Sequence, residues 1–245
     1  MSAIMTKTVG ELAAENPAAT RVFEKLGIDY CCGGSDTLEQ ACRAARLPLE
    51  QVTDSTEMAL ETGRAVAPDR DWKNEPLADL IAHIRNTHHR YTRAAIARLG
   101  SLFDKVCAVH GKNHPELARM RATFGGLAQE LATHLMKEEM VLFPYIVRME
   151  EAVLERSTVL PAPFGSVRNP VAMMLREHDG AGQALREMRA ASNGYIAPSD
   201  ACASYRTLYQ ALAEFETDLH QHIHLEDNIL FPHAIEMEQG IEGRP

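Results

Sequence analysis

Residues 134–144 read His-Leu-Met-Lys-Glu-Glu-Met-Val-Leu-Phe-Pro, and residues 222–232 read His-Ile-His-Leu-Glu-Asp-Asn-Ile-Leu-Phe-Pro. In both segments a glutamate follows the first histidine by four positions, and Leu-Phe-Pro closes the pattern. Residues four apart lie on the same face of a helix, so each histidine is expected to project beside its glutamate. The two segments therefore predict two helices with the same kind of His–Glu pair. These pairs are His134–Glu138 and His222–Glu226.

Each of these helices is preceded by another helical pattern that carries a histidine of its own. His89 lies 45 residues before His134. His178 lies 44 residues before His222. This part of the chain therefore reads as two copies of one helical hairpin. Two similar half-sites that face each other would form a site for two metal ions.

Four long amphipathic patterns fill the same part of the chain. They lie at about 76–109, 115–155, 169–191 and 199–238, and short connections separate them. Strand signals are almost absent from the sequence as a whole. Because long helices with short connections are typical of bundles, we expect an all-α protein with an up-and-down four-helix bundle.

The histidines and glutamates of the repeat lie on the apolar faces of these helices. A carboxylate on such a face is costly unless it is paired or binds a cation. A single histidine there is commonly an ordinary core residue, but the duplicated arrangement favours a metal site. The residues that this argument predicts as ligands are His134, Glu138, His178, His222 and Glu226.

The ligand types indicate which metal the site would hold. Imidazoles and carboxylates without a thiolate disfavour a closed structural zinc site. Carboxylates that bridge two ions, together with histidines, suit two iron or manganese ions that keep open positions. We expect a carboxylate-bridged, non-haem centre of two iron ions, and we assign no separate catalytic residue.

The ligand on the first long helix stays open when the residues alone are considered. The apolar stripe of that helix favours His88, and His83 and His89 are the alternatives. The stripe consists of Leu77, Ile81, Ile84, Tyr91, Ala95 and Leu102.

Two further acids are candidates for supporting the ligands or lining a channel. Glu130 precedes His134 by four positions and so shares its face, and Glu177 is adjacent to His178. An ordinary surface acid is the alternative interpretation of each.

The first part of the chain reads as a separate small helical domain, residues 1–66. It contains Cys31-Cys32-Gly33-Gly34 in a loop, which suggests an accessible thiol pair for docking, redox exchange or soft metals. Two ordinary cysteines at a helix end are the alternative. Residues 67–75 are interpreted as a linker, and residues 76–240 as the bundle domain.

Composition excludes several classes of function. The formal net charge is −9 and the pI is about 5.7, which argues against binding to nucleic acid or to anionic membranes. No run approaches the roughly 20 apolar residues of a membrane helix, and the first residues do not resemble a secretory signal. Five cysteines at irregular spacing do not form a disulfide framework. We therefore expect a cytoplasmic protein.

Taken together, these motifs resemble the RIC-type di-iron proteins, whose name stands for repair of iron centres. The resemblance extends over nearly the whole chain and implies a hemerythrin-like bundle with its first ligand at His89. The segments that carry it are 27–34, Thr37-Leu38, Asp71-Trp72, Pro76-Leu77-Ala78, 134–144, Glu177-His178-Asp179 and 222–232.

The resemblance also implies a function, which is the repair of iron–sulfur clusters after oxidative or nitrosative stress by donation of iron. Damaged iron–sulfur proteins would be the partners, and nitric oxide or dioxygen would be small ligands of the irons. The N-terminal domain would serve in docking, homodimer formation or iron transfer. One alternative is a protein that binds or reduces nitric oxide, and another is a hemerythrin-like oxygen binder or sensor. Repair by donation is not enzymatic, whereas nitric-oxide reduction would be.

Overall fold

The structure is a computed structural model that describes residues 3–63, 71–158 and 162–242. Helices joined by turns make up these ranges, and no strand occurs within them. Among the described residues there are two isolated bridges, Thr8–Thr37 and Ala162–Gly165. The all-α prediction is therefore confirmed. In the described part of the chain no helix has the length and apolar character needed to span a membrane.

The N-terminal segment forms four short helices after a 3₁₀ turn at Ala3–Thr6. They are α1 (Val9–Glu15), α2 (Pro17–Leu26), α3 (Leu38–Ala45) and α4 (Leu49–Gly63). Thr8 and Thr37 begin α1 and α3 with reciprocal capping hydrogen bonds, which satisfy amides that the first helical turn leaves unpaired. Gly27 ends α2 at a φ of 70°, a conformation that glycine adopts without steric cost.

The remaining helices form four long stretches, as the sequence predicts. They are α5 (Leu77–Ile84), α6 (Arg90–His110), α7 (Glu116–Lys137), α8 (Phe143–Glu155), α9 (Arg168–Ala191), α10 (Ala203–Leu225) and α11 (Phe231–Glu242). The last stretch begins at Ala203 rather than near residue 199, because the Ala201 amide donates to the Pro198 carbonyl in a turn.

Three π-helical segments join consecutive helices within the described ranges. Arg85–His89 joins α5 to α6, Glu138–Leu142 joins α7 to α8, and Glu226–Leu230 joins α10 to α11. In the last two segments, the amide after the segment donates to the carbonyl of the glutamate that begins it. A π turn contains one residue more than an α turn. The residues after it therefore point in directions shifted by one position from those of a continuous α-helix.

By its contacts the chain divides into two compact units. The first unit comprises Met1–Ala82, Ile146–Arg168 and His220–Pro245. The second unit comprises His83–Tyr145 and Asn169–Leu219. The interpretation of residues 67–75 as a linker falls partly on residues 64–70, which lie outside the described residues, and the domain boundaries stay predictions.

Each unit has an apolar core of its own. In the first unit Phe23, Tyr30 and Leu38 are almost fully buried among the N-terminal helices. In the second unit the ring of Phe124 packs 5.4 Å from that of Phe103 and 6.0 Å from that of Phe215. These buried rings fix the helices that carry the candidate ligands.

Candidate metal centre

Three of the predicted ligands converge in the core of the second unit. His134 Nε2 lies 3.3 Å from Glu138 Oε1 and 3.0 Å from His178 Nε2. The exposed fractions are 3% for His134, 0% for Glu138 and 2% for His178. A buried carboxylate beside two imidazole nitrogens is an arrangement that suits a cation.

His89 approaches the same glutamate from its other side. Its Nε2 lies 3.4 Å from Glu138 Oε2, and neither side chain is exposed. The ring of Phe143 stacks on the imidazole at 5.6 Å and shields it from water. Glu138 therefore presents one oxygen to His89 and the other to His134.

His88 is engaged elsewhere, although the apolar stripe favours it. Its Nδ1 lies 3.0 Å from an Asp218 oxygen. The π segment Arg85–His89 explains the difference. Its one extra residue places His89, five positions after Ile84, against Glu138, where an α-helix would place His88, four positions after Ile84. The buried face then runs through Thr92, Ala95, Leu99, Phe103 and Val106. Tyr91 and Leu102, which the stripe placed on that face, are only half-buried.

Two carboxylates hold the outer nitrogens of these histidines. His89 Nδ1 lies 2.8 Å from Glu139 Oε1, and His134 Nδ1 lies 2.9 Å from Glu177 Oε2. Each carboxylate accepts a hydrogen bond from Nδ1–H, which leaves the Nε2 lone pair directed at the site. Carboxylates in this position orient metal-bound histidines and make them better ligands.

Both supporting carboxylates are ionised at neutral pH. Burial by itself would raise the pKa of Glu177, but hydrogen bonds from Lys137 and His134 outweigh it and lower that pKa below its ordinary value. Burial is likewise outweighed at Glu139, where hydrogen bonds with His89 and Arg93 lower the pKa. Their negative charge supports a neighbouring cation.

Glu139 is a site residue that sequence reasoning missed. Its one signal is that an acid follows the ligand glutamate in both copies of the repeat, Glu139 after Glu138 and Asp227 after Glu226. Glu177, which the sequence does single out, supports His134 rather than its neighbour His178.

A cavity of about 530 Å³ adjoins this cluster. Its lining includes Glu130, His134, Lys137, Glu177 and His178. Glu130 is exposed, so the cavity lies between a surface acid and two buried imidazoles. The role of Glu130 in a channel stays a prediction.

The first unit contains the second copy of the His–Glu pair. His222 Nε2 lies 3.0 Å from Glu226 Oε1, and their exposed fractions are 1% and 0%. In both copies the glutamate begins a π segment that ends immediately before Phe-Pro. The sequence repeat is therefore also a repeat of local structure, and in each unit the buried donors fit a metal cation.

The thiol pair is less accessible than the sequence suggests. Cys31 is 3% exposed, and Cys32 is half-buried. Cys31 Sγ lies 3.3 Å from Asp29 Oδ1 and 3.9 Å from Cys32 Sγ. The hydrogen bond with Cys32 and burial raise the pKa of the Cys31 thiol well above its ordinary value. Cys31 is therefore a protonated thiol, and the expectation of an accessible pair is wrong for it.

Close packing explains why glycine follows the cysteines. A Cβ atom at Gly34 or at Gly10 would overlap the side-chain amide of Asn228. That amide also approaches the carbonyls of Tyr30, at 3.4 Å, and Cys31, at 3.5 Å. Asn228 belongs to the π segment that begins at the predicted ligand Glu226. Within the first unit, the thiol loop therefore packs directly on a segment that carries a candidate ligand.

Comparison with known proteins agrees with this architecture. The chain matches the Hemerythrin HHE cation binding domain over residues 80–234 and a domain of unknown function, DUF542, over residues 5–59. It is 36% identical to the iron-sulfur cluster repair protein YtfE of Pectobacterium atrosepticum, over 95% of this chain and 98% of that protein. It is 35% identical to a probable iron-sulfur cluster repair protein of Haemophilus influenzae, over 93% and 96%. The YtfE protein of Yersinia pseudotuberculosis is 34% identical, over 95% and 98%.

Proposed function

Because this chain belongs to the iron–sulfur cluster repair family, with its hemerythrin HHE cation-binding bundle, we propose that it repairs clusters damaged by oxidative or nitrosative stress. The observation that carries the proposal is similarity to relatives of that name over at least 93% of the chain. Repair would proceed by donation of iron, and the partners would be the damaged iron–sulfur proteins.

The metal in this proposal is a pair of iron ions. The ligands would be the six buried side chains that the sequence predicts, His89, His134, Glu138, His178, His222 and Glu226. The orientation of Glu138 toward two different histidines supports a bridging role for it. We infer the same role for Glu226 from the repeat. When bound, the irons would supply open coordination positions for small ligands and a store of transferable metal.

The chain's own residues would control how firmly this metal is held. Glu139 and Glu177 accept hydrogen bonds from Nδ1 of His89 and His134, so they would set how strongly these two imidazoles bind the metal. Glu177 also accepts a hydrogen bond from Lys137, which lines the cavity beside His134 and His178. The cavity therefore adjoins the side of the site that His134 and His178 form.

Transfer of isotope-labelled iron to a cluster protein that has lost iron tests the proposal. The full-length protein is loaded anaerobically, mixed with the damaged protein, and separated from it before Mössbauer spectroscopy of the acceptor. We expect the label to appear in a restored cluster. A Glu138→Gln variant should transfer little, because it lacks the bridging charge, while Glu187→Gln, which changes an exposed acid of α9, should match the unmodified protein. Restoration with unlabelled iron only would contradict donation.

The cavity beside His134 and His178 favours one second candidate, a role in binding or reducing nitric oxide. A gas needs only an open coordination position and a path to it. Catalytic consumption of nitric oxide by the loaded protein with an electron donor, without any iron transfer, would replace the repair function with this one. An oxygen binder or sensor has less support, because oxygen carriage gives no role to the thiol-bearing domain.

A further inference from the structure

A second group of histidine and aspartate side chains lies where α6 ends and α7 begins. His110 ends α6, His114 precedes α7, and Asp200 lies in the turn before α10. Each of the three offers a ligand atom, and these atoms lie within 4.8 Å of one another. All belong to the second unit. Along α7, the 1.5 Å rise per residue places Glu116 roughly 27 Å from His134, so this group is separate from the candidate iron centre.

The hydrogen bonds of His114 resemble those of a metal-bound histidine. Its Nδ1 lies 3.0 Å from Glu116 Oε1, and its Nε2 lies 3.0 Å from Asp200 Oδ2. If Nδ1 carries the proton for Glu116, the Nε2 lone pair faces a carboxylate, and these two acceptors repel unless a cation lies between them. The alternative is an imidazolium that donates to both acids.

His110 supplies the observation that distinguishes these two states. Its Nε2 is buried and has no hydrogen-bond partner among the described residues. A protonated His114 would leave that nitrogen without a partner, whereas a cation held by all three residues would use a His110 ring nitrogen as a ligand. The ring of Tyr205 packs 5.2 Å from the His110 ring and 5.4 Å from the His114 ring, which holds both imidazoles in place.

We propose that His110, His114 and Asp200 form a second metal site, which binds one divalent ion of the zinc class. Two imidazoles and one carboxylate, with a fourth position for water, are a ligand set that zinc accepts. Glu116 would hold the outer nitrogen of His114, as carboxylates do beside zinc ligands. The bound ion would tie the turn between α6 and α7 to the turn before α10, and so stabilise this end of the second unit.

Zinc retention by the full-length, iron-loaded protein tests the proposal. The protein is mixed with a small excess of Zn²⁺ and desalted, and zinc and iron are then counted together. We expect one added zinc per chain without loss of iron. His114→Gln and Asp200→Asn should weaken zinc binding at least about tenfold, since each removes a ligand. Asp104→Asn should retain the zinc, because it changes an exposed acid of the same unit that pairs with Arg121.

Co²⁺ provides a second readout, because its absorption spectrum reports the ligands and geometry directly. We expect a tetrahedral spectrum that is absent from Asp200→Asn. The Asp200 side chain is 55% exposed, so this variant should fold even if His114→Gln does not. Zinc that enters only by displacing iron would overturn the proposal, and so would equal zinc retention by Asp200→Asn and the unmodified protein.

Discussion

Glu177 accepts a hydrogen bond from His134 at 2.9 Å across two helices, although its neighbour in sequence is His178. His89 and Glu139 form the matching contact at 2.8 Å. Two candidate ligands that lie beside Glu138, His89 and His134, are thus each held at Nδ1 by an ionised carboxylate. This arrangement orients both imidazoles toward Glu138, as expected for metal ligands and not for ordinary core histidines.

Removing the Glu177 carboxylate should weaken the metal site without abolishing it. We expect Glu177→Ala to lower iron affinity about 10–100-fold, since loss of such a supporting carboxylate has an effect of that size. Glu177→Gln keeps a hydrogen-bond acceptor, so its iron affinity should lie between those of Glu177→Ala and the unmodified protein. Competition with a chelator measures the affinity. Glu187→Ala, on the exposed face of the same helix, is the control, and an equal loss in that variant would contradict a specific role for Glu177.

Replacing His89 or His88 separates two adjacent buried histidines. We expect His89→Ala to change the Mössbauer signature of one iron, because His89 Nε2 faces Glu138. His88→Ala should leave both irons in place, because that side chain is bonded to Asp218 instead. Circular dichroism establishes that both variants fold. An altered iron spectrum in His88→Ala with a normal one in His89→Ala would transfer the ligand role to His88.

The two thiols of the N-terminal loop should react at different rates. We expect alkylation of Cys31 to be at least about tenfold slower than that of Cys32, because Cys31 is buried and its pKa is raised. A raised pKa delays formation of the thiolate, so the Cys31 rate should climb only at alkaline pH. Peptide mass spectrometry after timed alkylation measures both, with the exposed Cys202 as the internal reference. Equal rates at neutral pH would show that the loop opens.

The packing of Gly34 on Asn228 should be visible as an energetic coupling. We expect Gly34→Ala to lower the free energy of unfolding by about 1–3 kcal/mol, because the added methyl overlaps the Asn228 amide. Combining it with Asn228→Ala should recover at least about 0.5 kcal/mol of that loss, since the overlapping atoms are then gone.

Gly100→Ala is the control for the same substitution at an open helical position, where nothing lies within 4 Å of an added Cβ. It should stabilise the protein by about 0.5–1 kcal/mol, because alanine loses less backbone freedom than glycine in a helix. Strictly additive effects of Gly34→Ala and Asn228→Ala in denaturant titrations would show that the two residues do not touch.

Much of the architecture follows from the sequence because it depends on local patterns. The repeat of residues 134–144 in 222–232 predicts two similar helices, and the structure extends that repeat to matching π segments. The assignment of His89 could not be made from periodicity, since a π turn shifts the buried face by one residue and leaves no clear signal in composition.

Other features depend on contacts between residues that lie far apart in the chain. The need for glycine at position 34 depends on Asn228, about 200 residues later, whose amide also approaches the Cys31 carbonyl. In the first copy of the repeat the same position is Met140, which is 73% exposed. The two copies also differ at five other positions, so the sequence alone does not single out Asn228 as a contact of the distant loop.

Metal analysis of the anaerobically purified full-length protein tests the central claim most directly. Iron and zinc per chain are counted, and Mössbauer spectroscopy at low temperature reports whether the irons are coupled. We predict two irons per chain, coupled through the carboxylates of Glu138 and Glu226, and no more than one iron in Glu226→Ala. A single iron per chain, zinc as the metal at the His134–Glu138 site, or full iron content in Glu226→Ala would contradict the account.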